Sequence, residues 1–399
     1  MRILYAAIDQ SVPGTNGGSV HVSEVATGLA ALGHEVHALV TPGHGPLPDD
    51  SVHWHPLEPP MRQRQLRWAR AGRVAELAHA IGADVVMERY YNFGGEGVRA
   101  AVRTGALVVL EVNAPIIDHP GSLKRWLDRA VLAEPMRRWR DWQCRHTDLF
   151  VTPSAEILPP WVAPDRVLEI EWGADTKRFT PDAAGDLPFQ RGPGETVVVF
   201  AGAFRPWHGA INLVHAIAQL RARGRSDVKV VFVGDGPELP QVRRAASGLD
   251  GIEFTGRIPH DRMPACLAAA DIGVAPFDTA AHGPLQIAFY WSPLKLFEYM
   301  ASGLPVVTPD IPRLRTLFRH EREGLCYDPE DTAGLADAIV RLADAPNRRE
   351  MGRAARERVV REFGWDLHCR RLSEALGRAH DVMTGAEASG GARQANASR

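Results

Sequence analysis

The run Ile3-Leu4-Tyr5-Ala6-Ala7-Ile8 leads to the loop Gly14-Thr15-Asn16-Gly17-Gly18, then to an amphipathic segment over residues 19–32 that closes on Gly33. A short apolar run bounded by turn residues predicts a buried strand. Apolar residues recurring every three to four positions predict a helix, and Gly33 is a suitable stop. Together they make one βα unit, and the same alternation continues along the chain. Residues 35–40, 85–88 and 107–112 read as further strands of a first sheet, and residues 197–201, 229–233, 252–254, 272–275 and 305–308 as strands of a second. Strands alternating with helical patterns predict an α/β protein built on parallel sheets.

The chain has 399 residues, more than the ~250–300 at which a single core stops growing, so two domains are expected. Residues 181–195 are rich in Pro, Gly and acidic side chains and lack an apolar period, which suits a linker. The expected division is residues 1–185, residues 186–365, a helix over 366–384 that returns toward the first domain, and a disordered Ala/Gly/Ser-rich tail over 385–399.

A composition of 45% hydrophobic and 24% charged residues is that of a globular protein, and a net charge of −2 creates no field to concentrate a polyanion such as nucleic acid. The cysteines, at 144, 266, 326 and 369, form no C-x-x-C, so neither a disulfide framework nor a zinc site is suggested. The N-terminal residues enter a strand without a signal-peptide pattern, and no apolar run reaches the ~20 residues of a spanning helix. A cytoplasmic location is expected. Segments 61–73 and 123–145 interleave Arg with Trp68, Trp126, Trp139 and Trp142. They suit peripheral contact with an anionic membrane at its inner face, or helices with Trp in the core and Arg in solvent.

In open α/β sheets ligands bind beyond the carboxyl ends of the strands. Gly17 and Gly18 lie in such a loop, where glycine lets a ligand approach backbone N–H groups; a plain turn reads equally well. The stronger site is Ser292-Pro293-Leu294-Lys295-Leu296-Phe297-Glu298-Tyr299-Met300-Ala301-Ser302-Gly303. Ser292 suits an N-cap, Pro293 the first helical position and Gly303 the end. The N-terminus of that helix, with Lys295 beside it, can receive a diphosphate. Glu298 can accept hydrogen bonds from ribose hydroxyls, or pair with Lys295 on a solvated face.

These residues resemble the retaining glycosyltransferases of family 4 (glycosyl transferases group 1), which have the GT-B architecture: two Rossmann-like domains facing each other across a deep cleft. The resemblance runs to about residue 380 and rests on Gly17-Gly18, residues 202–209, Val233-Gly234-Asp235-Gly236-Pro237-Glu238, Phe254-Thr255-Gly256-Arg257-Ile258, Ala270-Asp271-Ile272 and residues 298–307, in matching order and spacing. It implies that Glu298, the second glutamate of the family's two-glutamate motif, binds the donor ribose, and that Gly17 and Gly18 approach the diphosphate. Gly234, Arg257 and Ile258 would line the nucleobase pocket. Ser292, Pro293, Leu294 and Lys295 complete the donor-binding set.

Three positions depart from the family pattern. Tyr290 stands where the first glutamate is usual, and Lys295 is the group that can partly substitute. In the G-R-x-x-x-x-K-G phosphate motif Ala203 replaces Arg and His208 replaces Lys, leaving Arg205 and His208 as cationic candidates, with a packed turn beside Trp207 as the other reading of His208. Asn113 stands where a cleft histidine is usual, so Glu111, Asp118 and His119 are the nearby titratable groups, His119 equally suiting a surface loop. A related clade carries E-R-Y and then E-x-N-A-P, as Glu88-Arg89-Tyr90 and Glu111-Val112-Asn113-Ala114-Pro115 do here.

The activity implied is transfer of a sugar from a UDP- or GDP-sugar to a hydroxyl acceptor with retention at the anomeric carbon. Arg205, His208 and Lys295 would stabilise the leaving group, and Asn113 and His119 would act near the acceptor. There is no Asp-x-Asp and no His/Asp cluster with metal-ligand spacing, so neither a metal nor another cofactor is expected. A catalytically degenerate nucleotide-sugar-binding protein and a sugar-nucleotide epimerase or hydrolase on the same fold are the alternatives. A nicotinamide dehydrogenase is disfavoured because the first βα turn lacks G-x-G-x-x-G.

Overall fold

A computed structural model describes residues 1–118, 123–130, 134–287 and 289–397. It divides into two units, one of residues 1–171, 290–292 and 365–399, the other of residues 172–289 and 293–364.

The first unit holds strands β1 (Arg2–Val12), β2 (Glu35–Pro42), β3 (Val52–Pro56), β4 (Val85–Arg89), β5 (Leu107–Glu111), β6 (Leu149–Thr152) and β7 (Val167–Glu169) in the order β3-β2-β1-β4-β5-β6-β7. All neighbours run parallel. The second holds β8 (Thr196–Ala201), β9 (Val228–Val233), β10 (Ile252–Gly256), β11 (Ile272–Val274), β12 (Val306–Pro309) and β13 (Gly324–Tyr327) in the order β10-β9-β8-β11-β12-β13, again parallel. Both sheets are Rossmann-like. Each reverses its winding once, between β1 and β4 and between β8 and β11, and a reversal leaves a crevice at the carboxyl ends of the strands.

Helices on both faces explain why the central strands are continuous apolar runs rather than alternating ones. Val197, Val198, Val199 and Phe200 are all fully buried, as are Leu107, Val109 and Leu110. Strands β3, β6, β7 and β13 are not singled out in sequence.

Three boundaries differ from expectation. The division falls at Glu171/Trp172 instead of between residues 185 and 186. Phe179 and Phe189 are buried, and Arg356 donates to the carbonyls of Phe179 and Thr176, which ties this polar, aperiodic stretch to the second unit. The helix after residue 292 spans Leu294–Ala301 with Pro293, not Ser292, at the N-cap position. The last helix, Trp365–Ala397, continues past residue 385, where composition predicts disorder; Ala, Glu, Gln and Arg in that stretch are good helix formers.

That last helix belongs to the first unit. A Cβ placed on Gly28 would lie 2.3 Å from the Cys369 sulfur, so glycine permits the close crossing with the helix Gly17–Ala31. His34 and Ser373 are joined at 2.7 Å. All four cysteines are free thiols, and no described helix is long and apolar enough to cross a membrane.

Candidate functional site

In the second unit, the loops after β8, β9 and β10 are laced to one another at the carboxyl end of the sheet. Gly202 donates to Val233 O at 2.9 Å, Phe204 to Asp235 O at 3.1 Å and Gly234 to Gly256 O at 2.8 Å. Gly234 has φ +127°, and a Cβ there would sit 2.0 Å from Gly202 O, so only glycine lets these loops pass.

The helix Leu294–Ala301 is anchored over the end of β8 by Tyr299, whose hydroxyl accepts the Ala201 N–H at 2.7 Å. Lys295, one turn earlier on the same face, is thereby set over Phe200 and beside Gly202. Its Nζ lies 4.4 Å from the Phe200 ring centre and 5.6 Å from that of Phe277, and it is buried with no hydrogen-bond partner among the described residues. Burial, only partly offset by Glu298, pulls the Lys295 amine down to about 7. Glu298 does not pair with it; its Oε1 lies 3.4 Å from His260 Nε2 in the turn that follows β10.

His208 lies in the loop leading from β8, beside the point where the winding reverses. Its Nδ1 is hydrogen-bonded to Ala203 O. Burial and then the neighbouring Lys295 lower its pKa to about 3, so the imidazole is neutral at physiological pH. Arg205 is exposed, with its guanidinium 5.9 Å from the Trp207 ring centre.

In the first unit Asn16 caps the helix Gly17–Ala31 by accepting from Ser19 N at 3.0 Å, leaving Gly17 exposed in the first turn. Buried His21, one turn on, lies 2.9 Å from Glu111 Oε1. Glu111 also receives Arg89 at 2.8 Å, the Tyr5 hydroxyl and the Asn113 side-chain amide. Burial alone would raise its pKa, but His21 and Arg89 together hold it well below the usual carboxylate range. Asp118 is held by Arg140 through paired hydrogen bonds of 2.8 and 2.7 Å, on the wall of a 590 Å³ cavity that Arg125, Arg137, Glu134 and Trp161 also line.

The chain matches the family described as Glycosyltransferase Family 4 over residues 15–167 and that described as Glycosyl transferases group 1 over residues 195–345, which together take in β2 to β6 of the first sheet and all of the second. The chain belongs to the family 4, group 1 glycosyltransferases. It is similar to a GDP-mannose-dependent α-(1-6)-phosphatidylinositol monomannoside mannosyltransferase of Mycobacterium tuberculosis, 31% identical over 56% of each chain, so the match spans little more than half of that relative's length. It is also similar to a D-inositol 3-phosphate glycosyltransferase of Actinosynnema mirum, 28% identical over 94% of this chain and 95% of that one. Among solved structures, HepE of Anabaena in complex with UDP superposes with a TM-score of 0.67 at 16% identity, covering 95% of this chain and all of that one. The fold is GT-B.

In this member of the family, Gly202, His208, Gly234, Lys295 and Glu298 all belong to the second unit, at the carboxyl ends of its strands. Ile258 is buried and Arg257 exposed just beyond β10. Two expected roles change. His208 is no permanent cation, because burial and Lys295 disfavour its charge. Glu111 is bound by His21 and Arg89, which hold its carboxylate in the charged form, and Asp118 is paired with Arg140. Asn113 gives its amide N–H to Glu111, while His119 lies outside the described residues.

Of the Arg/Trp segments, Arg67 and Arg140 turn inward and Trp139 stacks on Trp142 at 5.0 Å, while Trp68 and Trp126 stay exposed. His21, His260 and Tyr299 escape the sequence reading because their partners Glu111, Glu298 and Ala201 are remote in the chain. The same holds for Glu35, His37 and His53, which form a possible metal-ligand group among the described residues despite the expectation of none. Their geometry arises only when β2 and β3 pair.

Proposed function

We propose that this glycosyltransferase moves a sugar from a nucleoside diphosphate sugar to a hydroxyl acceptor with retention of anomeric configuration. The observation that carries the proposal is Lys295. A buried amine without a hydrogen-bond partner, set over a glycine loop at the end of β8, is what an anionic leaving group would complete. The first turn of the helix Leu294–Ala301 and exposed Arg205 add positive potential for the diphosphate. Glu298 accepts the ribose hydroxyls, and Gly234, Arg257 and Ile258 enclose the base.

In the reaction the bond between the anomeric carbon and the diphosphate oxygen breaks. The acceptor oxygen bonds to that carbon on the same face, and the acceptor proton passes to the departing phosphate oxygen. No protein nucleophile is needed, which agrees with the aromatic side chain of Tyr290 where the family's first glutamate is usual. Asn113 positions Glu111, and the charged 590 Å³ cavity of the first unit suits a polyhydroxyl acceptor.

Guanosine and uridine donors are the first to be tried, since a mannosyltransferase relative is named as GDP-mannose-dependent and HepE was solved with UDP. Calorimetry and thermal shift with UDP-, GDP-, ADP- and dTDP-sugars should show binding to one nucleotide class. Glu298→Ala should weaken that binding about 10- to 100-fold, the range for a lost hydrogen bond to a charged group. Binding to none would favour a degenerate protein, and equal binding by Glu298→Ala would remove Glu298 from the site.

Lys295, Arg205 and the helix terminus supply the charge that a metal supplies elsewhere, so turnover should persist in excess EDTA. Loss of turnover that returns with Mg²⁺ or Mn²⁺ would overturn metal independence.

A further inference from the structure

Glu35 and His37 lie near the start of β2, and His53 and His55 lie in β3, the edge strand of the first sheet. Side chains two residues apart on a strand share a face. The register sets His37 opposite His53, so all four side chains meet on one side of the strand pair. One ligand atom from each of Glu35, His37 and His53 can be chosen so that all lie within 4.8 Å of one another.

His37 is the centre of the group. Buried at 7% exposure, it has Nε2 3.0 Å from Glu35 Oε1 and Nδ1 2.9 Å from His55 Nε2, and its ring stacks on those of His53 at 4.5 Å and His55 at 5.2 Å.

We infer that Glu35, His37 and His53 form a binding site for a divalent metal of the zinc class, with His55 orienting His37 from behind. Imidazole and carboxylate donors together suit Zn²⁺, and a fourth position remains for water. Tetrahedral Zn²⁺ with bonds of about 2.0–2.1 Å needs its ligand atoms about 3.4 Å apart. Exposed Glu35 and His53 can close that distance around the fixed His37. With His37 Nε2 turned to the metal, its other ring nitrogen, Nδ1, stays 2.9 Å from His55 Nε2. A second hydrogen bond of this kind fixes the tautomer of a ligating histidine.

The metal would clip the edge strand to its neighbour. The site sits toward the amino end of β2, whereas Gly17 and Gly18 follow the carboxyl end of parallel β1, so it is separate from the loops assigned to the donor.

The test uses the full chain stripped of metal and titrated with ZnCl₂ by calorimetry and thermal shift. Wild type should bind one Zn²⁺ per chain and melt at a higher temperature when loaded. His53→Ala and Glu35→Gln each replace an exposed side chain, so both should keep the metal-free melting temperature and bind Zn²⁺ at least 10-fold more weakly. Co²⁺ in place of Zn²⁺ should give the visible absorption of a four-coordinate site in wild type and lose it in His53→Ala. Absence of Zn²⁺ binding to wild type, which would leave the group a hydrogen-bonded relay only, overturns the inference. So does binding that both variants retain in full.

Discussion

Lys295→Met is expected to make the protein more stable and a poorer binder of its donor. The amine pKa of about 7 lies below the ordinary 10.5 because the folded state buries the charge. A lysine depressed in this way costs stability in full below about pH 7, and the cost fades as the pH rises toward 10.5. Every tenfold weakening of proton affinity on folding corresponds to about 1.4 kcal/mol. Losing the contacts with the Phe200 and Phe277 rings gives back about 1–2 kcal/mol. The substitution should therefore add about 2–4 kcal/mol near pH 7, and the gain should shrink by pH 10.

Donor affinity should move the other way, falling about 10- to 100-fold with the loss of a charge-assisted contact. In wild type the anionic donor favours the charged amine, so binding should take up a proton and weaken as pH rises above 7. Calorimetry in two buffers of different ionisation heat measures that uptake. If Lys295→Met melted earlier and bound donor normally, Lys295 would be a packing residue and not the phosphate ligand.

The second large effect is expected at Arg67. Its fully buried guanidinium holds Asp9 at 2.8 Å, Glu96 at 2.5 Å and Glu88 at 3.7 Å, and donates to Arg89 O at 3.1 Å. Three carboxylates around one cation leave excess negative charge. Burial and then Glu96 push Glu88 up to about 8, against the pull of Arg67 and of the Gly95 and Val98 N–H groups. Removing one partner of a buried ion pair typically costs about 3–5 kcal/mol, and Arg67→Met should lose at least that much at pH 8, read as a lower urea midpoint.

The sign with pH follows from the raised carboxyl. Its ionisation opposes folding above its folded-state pKa, and that opposition is relieved as the pH falls through about 8 toward 4.5. Glu88 is neutral in the fold below about pH 8 with or without Arg67, so its share of the Arg67→Met deficit opens only as the pH rises above about 8, and the deficit should be larger at pH 9 than at pH 7. A deficit under about 1 kcal/mol at both would mean that the carboxylates find other partners, since breaking a buried pair is otherwise far more costly.

Arg67 also shows where sequence reading stops. In residues 61–73 it is one arginine among several beside Trp68, and a solvated or membrane-facing role is natural for the group. Its actual burial depends on Asp9, Glu88 and Glu96, which come from other parts of the chain. Lys295 illustrates the same limit inside a helix that was otherwise legible. Its spacing from Glu298 allows an ion pair, yet the anchor of Tyr299 on Ala201 turns Lys295 over Phe200, and Glu298 meets His260 instead.

The βα alternation, the two parallel sheets, the family and the loops at the strand ends were legible along the chain, because apolar period and glycine position are local properties. Tertiary structure alone decided the charge states of Lys295 and His208, the commitment of Glu111 and Asp118 to cationic partners, the unit boundary at Glu171/Trp172, and the meeting of Glu35, His37 and His53 on one sheet face. Each of these depends on desolvation and on charges brought close in space from residues distant in sequence, and local spacing carries no record of either.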